Sequence, residues 1–116
     1  MRKIKSHVTG VDQGNVILFS DFQDDGPMWA GSGPRELITP VAFSEPFRDP
    51  PTVHVSLSMW DMDQKTNMRA DIGCRNVGPD GFEIVFQTWG DTRIARVRAD
   101  WLAIGPVEDE LDWQVD

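Results

Sequence analysis

Alternating apolar and polar residues predict most of the structure of this chain, and the clearest alternation runs through residues 81–101. Apolar side chains occupy every second position in two runs: Phe82, Ile84 and Phe86, followed by Val97, Ala99 and Trp101. Residues two apart lie on the same face of a strand, so each run predicts a strand with one face on a core. A polar junction, Thr88–Thr92, separates the two strands. It places an indole, a carboxylate and two hydroxyls at a strand end, where recognition residues often lie.

The rest of the chain also predicts strands, because no segment shows a sustained helical period. Strands are expected over residues 6–12, 16–19, 35–43, 52–59 and 69–77. Turns are predicted at Asp12–Asn15 and Gly78–Gly81, and a long loop is predicted over Asp21–Pro34, where glycine and proline are frequent. Short strands separated by such turns are typical of an antiparallel sandwich or barrel, so the fold class is all-β.

The length of 116 residues fits one domain. We expect this domain to span residues 1–107 and to be followed by an acidic, disordered tail at residues 108–116. The 19 acidic residues outnumber the 11 lysines and arginines, which gives a net charge of −8 at pH 7. Nucleic-acid binders present a basic face, so this balance argues against a nucleic-acid partner. No apolar run is long enough to span a bilayer, so membrane insertion is not expected either.

The first five residues, Met1–Lys5, are basic, but no hydrophobic stretch follows them, so they do not predict a secretion signal. The chain as written is therefore expected to begin in the cytoplasm. Two alternatives stay open: export by a route that needs no signal peptide, and origin as a segment of a longer exported protein.

Few residues suggest covalent or metal-dependent chemistry. Cys74 is the only cysteine, which excludes an intrachain disulfide, and its strand-like setting predicts a small buried hydrophobe. His7 and His54 are isolated and lack the spacing of zinc ligands. The acidic runs Asp21–Asp25 and Asp61–Asp63 hold the oxygen donors that calcium prefers, but their spacing matches no calcium loop, so solvated loops are the favoured interpretation. No cofactor is expected.

Motifs from the middle to the end of the chain form an ordered set. They are Val41–Phe47, Pro50–Ser58, Asp61, Asn67–Arg69, Val77, Gly81–Phe82, Thr88–Thr92 and Trp101–Gly105. Their order and spacing resemble those of the H-type lectin domain family. The resemblance implies a six-stranded antiparallel β-sandwich that assembles as a homotrimer. It also implies binding of glycans near the subunit junctions, a preference for galactose-type sugars such as N-acetylgalactosamine, and a role in cell adhesion.

The resemblance further implies which residues bind the sugar. Arg69 matches the family's binding arginine, and Trp89 matches the tryptophan of its binding loop. Gly90 stands where the family has a sugar-contacting histidine, and Asp91, the next residue, is a substitute hydrogen-bond acceptor. Ser32 matches an aspartate that the family contributes from a neighbouring protomer.

These residue types suit sugar recognition, but each also has a purely structural interpretation. Arginine offers a fixed fork of donors, a carboxylate offers acceptors, and an indole offers an apolar face. Arg69 could instead form a surface ion pair with Asp71 or Asp91, and Trp89 could pack in the core or between subunits. Asp91 could bond only its own turn, and Ser32 could be a plain loop hydroxyl.

Two further expectations concern the whole chain. An alternative function is a structural or assembly domain, which would form trimers within a larger appendage without binding sugar. An enzyme is not expected, because no motif pairs a nucleophile with a base or opposes two carboxylates.

Trp60 and Trp101 lie in predicted strands and are expected in the core or in an interface.

Overall fold

Residues 1–109 are described by a computed structural model, in which they form six strands and one short helix. The strands are β1 (Thr9–Ser20), β2 (Arg35–Ala42), β3 (Thr52–Met62), β4 (Asp71–Arg75), β5 (Gly81–Thr88) and β6 (Ile94–Pro106), and the helix α1 is Pro27–Ala30. The strands pair antiparallel in two sheets, with the orders β1-β6-β3 and β2-β5-β4. The sheets pack face to face, so the predicted six-stranded antiparallel β-sandwich is confirmed. The predicted tail at residues 108–116 lies almost entirely outside the described residues.

The first strand is longer than predicted, because β1 runs unbroken through the predicted turn at Asp12–Asn15. These residues pair in register with β6, from Ala103 back to Asp100. The physical reason is Gly14, where an added Cβ would lie 2.9 Å from indole atoms of Trp101. Gly14 therefore makes room for a core side chain beneath the strand, and the turn prediction is wrong.

The core lies between the sheets, and the alternation noted in residues 81–101 is confirmed there. All six apolar side chains of that pattern are buried. Phe82 and Trp101 pack with Phe43, with ring centroids 5.6–5.9 Å apart. Phe86 and Ile94 belong to a second cluster, and both are fully buried. Aromatic burial of this kind supplies much of the hydrophobic stabilisation of a small domain.

The side chain of Cys74 is more exposed than predicted, and that of Trp60 lies outside the core, which leaves the predicted interface position as a prediction. Cys74 is exposed because β4 is an edge strand, and its Sγ lies 3.9 Å from the carbonyl oxygen of Val53. The prediction that this thiol is buried is therefore wrong. Trp60 is 59% exposed and lies outside the core of the chain, whereas Trp101 is buried as predicted.

Antiparallel pairing brings three connections to one end of the sandwich. Strands β1 and β3 both end beside the start of β6, and β5 ends beside the start of β2. The β1–β2 loop (residues 21–34), the β3–β4 loop (63–70) and the β5–β6 turn (89–93) are therefore neighbours. Within residues 1–109 no helix is long and apolar enough to cross a membrane, α1 being a single turn.

Candidate functional site

The β5–β6 turn is the predicted polar junction between the two strongest strands. Strand β5 ends at Thr88, and β6 begins at Ile94. Gly90 has φ +70°, in the left-handed region that glycine adopts without steric cost, so it reverses the chain here. Trp89 is 44% exposed, which excludes packing of its indole in the core of this chain. The turn therefore presents an indole to solvent on a rigid pair of strands.

Arg69 and Asp91 form the charged part of the site. The Nη1 of Arg69 donates to Oδ1 of Asp91 at 2.6 Å, so the ion pair forms with Asp91 and not with Asp71. The side chain of Asn67 also donates to Asp91, from Nδ2 to Oδ1 at 3.2 Å. The two charged side chains remain 33% and 54% exposed. The pair is therefore accessible to a ligand.

The hydrogen bonds to Asp91 keep its carboxylate ionised. Donation from Arg69, followed by donation from Asn67, lowers the pKa of Asp91 below its ordinary value. This direction is expected, because a cation and a donor amide both favour the charged form. The site therefore presents a hydrogen-bond acceptor beside a guanidinium at neutral pH.

Two buried threonines fix the β3–β4 loop against the β5–β6 turn. The hydroxyl of Thr88 donates to the carbonyl of Arg69, and the hydroxyl of Thr92 donates to the carbonyl of Asn67, both at 2.6 Å. Thr88 is 1% exposed and Thr92 is fully buried. Buried hydroxyls satisfied in this way give the loop one position relative to the turn. Arg69 and Asn67 are thus brought to Asp91 by their backbones as well as by their side chains.

Gly90 also makes room for the guanidinium. A Cβ added at Gly90 would lie 3.0 Å from Nη1 and 3.3 Å from Cζ of Arg69. Any side chain at this position would press on the guanidinium. Gly90 therefore allows Arg69 to lie across the turn and reach Asp91.

The β1–β2 loop contacts the same turn through Gly90. The backbone N–H of Gly33 donates to the carbonyl of Gly90 at 2.9 Å, and Nη2 of Arg35 donates to the same carbonyl at 3.2 Å. Ser32 is exposed and precedes Gly33, so its loop lies beside the turn of its own chain. Its predicted role in the site of a neighbouring protomer stays a prediction.

A depression of about 280 Å³ lies beside the exposed indole. Trp89 lines it together with Pro34, Glu36 and Gln87. Gln87 Nε2 donates to Oε2 of Glu36 at 2.7 Å across the strand pair. The indole therefore borders this depression, and Trp89 belongs to the same turn as Asp91.

The acidic runs considered as calcium sites are engaged in other contacts. Asp61 lies 3.7 Å from Arg96, and Asp63 lies 3.9 Å from Arg93. Asp21 accepts a hydrogen bond from the backbone N–H of Met28 at the start of α1. In the part of the chain that the structure describes, no group of three or more histidine, cysteine or acidic residues is placed to hold a metal ion.

The structure brings Arg69, Trp89, Gly90 and Asp91 together and sets the loop of Ser32 beside them. Sequence reasoning placed the hydroxyls of Thr88 and Thr92 in the junction but missed their structural role, and it did not assign Asn67 or Arg35 to the site. Asn67 carried a usable signal, because it precedes Arg69 by two residues within one loop motif. The local pattern did not report the roles of the two threonines and Arg35, because the hydrogen bonds by which they join the loops run to backbone carbonyls 19 to 55 residues away.

A β-sandwich whose loops present an arginine–aspartate pair and an exposed indole has the architecture of a small recognition domain. The model of one family, the H-type lectin domain, matches residues 38–104. The chain belongs to the H-type lectin domain family.

Curated relatives agree with this assignment. The chain is 65% identical to the "ATP synthase subunits region ORF 7" protein of Fuscovulum blasticum, over 92% of this chain and 93% of that protein. It is 35% identical to each of two discoidin-1 chains of Dictyostelium discoideum, in both cases over 69% of this chain and 32% of the relative. The chain thus spans about a third of the length of those discoidin-1 chains.

A solved structure gives the same fold. Recombinant discoidin II of Dictyostelium discoideum superposes with a TM-score of 0.71 at 23% sequence identity, over 89% of this chain and 40% of that one. At this identity the likeness establishes the β-sandwich fold alone. The fold and the family are those of a lectin domain.

Proposed function

We propose that this protein binds carbohydrate, with a terminal galactose-type sugar such as N-acetylgalactosamine held by Arg69, Trp89 and Asp91. The observation that carries the proposal is the exposed Arg69–Asp91 pair beside the exposed indole of Trp89. The guanidinium supplies donors and the carboxylate supplies acceptors for neighbouring sugar hydroxyls. The indole supplies an apolar face for the C–H side of a sugar ring.

Arg69 retains donors for a ligand. Its Nη1 serves Asp91, while within residues 1–109 its Nε and Nη2 make no hydrogen bond. A sugar hydroxyl could accept from these groups without first breaking the ion pair. Gly90 adds no side chain to the surface, so the histidine contact of the family is replaced here by Asp91.

Glycan-array screening tests this proposal, with the Arg69→Ala variant as the decisive comparison. We expect a signal on galactose-type glycans that falls about tenfold or more in Arg69→Ala, because charge-assisted hydrogen bonds contribute affinity of this order. Arg75→Ala is the matched control, because it removes another exposed arginine that faces a carboxylate, Glu83, at 3.4 Å. If no glycan gives a signal that depends on Arg69, carbohydrate binding at this site is refuted.

Assembly as a homotrimer is part of the same proposal. Family membership supports it, and so do large apolar side chains that are exposed to solvent in the single chain. Val11 on β1 and Ile104 on β6 are exposed partners in register on the outer face of one sheet, and Trp60 is exposed on β3. Burial of such side chains between protomers favours association. Ser32 would then face the site of a neighbouring protomer.

Sedimentation velocity at tens of micromolar measures the assembly. We expect a single species with three times the protomer mass, because an obligate interface holds at this concentration. A purely monomeric species would contradict the trimer. Ser32→Ala, measured in the same preparation by glycan titration, then tests the contribution of Ser32 across the junction.

The alternative is an assembly domain that forms trimers without binding sugar. The absence of the family's histidine favours it, whereas the exposure of the Arg69–Asp91 pair favours the lectin function. A trimer that gives no binding signal with any glycan on the array would support the alternative. In either case we propose a protein without enzymatic activity, because Asp91 is paired with a cation and held ionised, which does not suit a general acid.

A further inference from the structure

Arg35, at the start of β2, donates hydrogen bonds to four backbone carbonyls and lines the depression beside Trp89, and within residues 1–109 it makes no hydrogen bond to the side chains of Arg69 or Asp91. Nε donates to Gly33 at 2.9 Å, and Nη2 donates to Gly90 at 3.2 Å. Nη1 donates to Pro27 and Met28 at 3.2 Å. The acceptors belong to two connections, the β1–β2 loop and the β5–β6 turn.

Guanidinium chemistry explains why an arginine stands here. Its five N–H donors lie in one plane, so a single side chain can satisfy several carbonyls at fixed angles. The carbonyls of Pro27 and Met28 belong to the four-residue helix α1. The carbonyl of Pro27 already accepts from the N–H of Gly31 at 2.9 Å, so Arg35 is its second donor. Among residues 1–109 Arg35 has no carboxylate partner, so its hydrogen-bonding capacity is directed to the backbone.

Two glycines give Arg35 this access. Gly33 has φ +74°, which turns its carbonyl towards Nε and its N–H towards Gly90. Gly31 leaves space for the side chain, because an added Cβ there would lie 3.2 Å from Cδ of Arg35. The loop is thus shaped around the guanidinium on one side and around Gly90 on the other.

We propose that Arg35 is a positioning residue that locks the β1–β2 loop to the β5–β6 turn and so sets the site geometry. It acts through the carbonyl of Gly90, which lies between Trp89 and Asp91. The consequence for affinity rests on the proposed carbohydrate binding. In the proposed trimer, the loop of one protomer that carries Ser32 would contribute to the site of a neighbouring protomer. Arg35 would then link this loop to the site of its own protomer.

The test is Arg35→Lys, which keeps the positive charge but offers one compact ammonium in place of the planar fork. Tryptophan is replaced biosynthetically by 5-fluorotryptophan, and Trp89→Phe identifies the ¹⁹F resonance of Trp89 among those of the five tryptophans. Without sugar, we expect Arg35→Lys to shift or broaden the Trp89 resonance and to leave that of Trp101 unchanged. Glycan affinity, measured well below the melting temperature, should fall about tenfold.

The matched control is Arg75→Lys. Arg75 lies on β4, and its partner Glu83 lies on the neighbouring strand β5. Arg75→Lys should change neither the Trp89 resonance nor the affinity. Positioning by Arg35 is overturned if Arg35→Lys matches this control. It is also overturned if all five tryptophan resonances move together as the melting temperature falls, which would show a general structural role.

Two measurements separate this inference from the proposed function. If the unaltered protein binds no glycan, the proposed function fails, while the ¹⁹F comparison still decides whether Arg35 positions Trp89. If Arg35→Lys does not fold, amide hydrogen exchange in the unaltered protein decides instead. A protected Gly33 N–H supports the lock to Gly90, and exchange at the rate of a free loop overturns it.

Discussion

Substitution of Gly90 by alanine tests the central feature of the site with one added methyl group. Gly90 combines two constraints, a φ of +70° and the closeness of the Arg69 guanidinium to the position of a Cβ. Each constraint has its own consequence. Backbone strain should lower the free energy of unfolding, and contact with the guanidinium should move Arg69 away from Asp91.

The strain can be estimated from the backbone alone. A non-glycine residue in the left-handed region costs about 1–2 kcal/mol. Each kcal/mol shifts the melting temperature of a domain of 116 residues by about 4 °C. We therefore expect Gly90→Ala to lower the melting temperature by about 4–8 °C. Displacement of Arg69 should raise the pKa of Asp91 towards its ordinary value, because the guanidinium is the main cause of its lowering.

Two other glycines separate these effects. Gly33 has φ +74° but no atom within 4 Å of an added Cβ, so Gly33→Ala should reproduce the strain and leave the pKa of Asp91 unchanged. Gly73 has neither constraint, so Gly73→Ala should be neutral or slightly stabilising. Urea unfolding followed by tryptophan fluorescence gives the stabilities at one fixed protomer concentration. Carboxyl ¹³C titration gives the pKa of Asp91.

The reasoning would be refuted by either of two results. Gly90→Ala could be as stable as Gly73→Ala, which would mean that the positive φ imposes no strain. Alternatively, the pKa of Asp91 could be equal in Gly90→Ala and Gly33→Ala, which would mean that the glycine does not place the guanidinium.

Two further predictions concern acid pH and the first strand. The pKa of Asp91 is lowered in the folded protein, so its contribution to stability should be complete above the ordinary pKa of an unfolded aspartate and lost as the pH falls through the lowered value. Unfolding measured against pH should show this dependence, and Arg69→Ala should reduce it. Gly14→Ala should destabilise the fold by about 1–3 kcal/mol in urea unfolding, because its Cβ would overlap the packed indole of Trp101. Unchanged stability of Gly14→Ala would show that Trp101 does not pack against Gly14.

Much of the sandwich could be predicted because its signals are local. Six buried positions between Phe82 and Trp101 follow the two-residue period of a strand, and this period survives folding unchanged. The error at Asp12–Asn15 arose from reading glycine as a turn residue. Gly14 is required by the bulk of Trp101, 87 residues away, and no local pattern reports that contact.

The candidate site also has features that the sequence predicts and features that depend on tertiary contacts. Family resemblance pointed to Arg69, Trp89 and Asp91, because motifs preserve residue type and spacing. The alternatives for Arg69 could not be resolved from sequence, because an ion pair with Asp71 and one with Asp91 are equally compatible with the chain order. Pairing with Asp91 follows from hydrogen bonds that cross between loops, from buried hydroxyls to the carbonyls of residues 67 and 69.

The sequence by itself determined the all-β class and the positions of the last two strands, and its resemblance to a family named the residues that we propose bind sugar. These depend on residue type and on neighbours within a few positions. Only the tertiary structure decided that Gly90 gives its space to a guanidinium, that Asp91 is held ionised, and that Arg35 links two loops. Each of these depends on atoms that come into contact only after the sheets have packed. The space at Gly90 and the carbonyl oxygen that accepts from Arg35 are such features, and no local sequence pattern reports them.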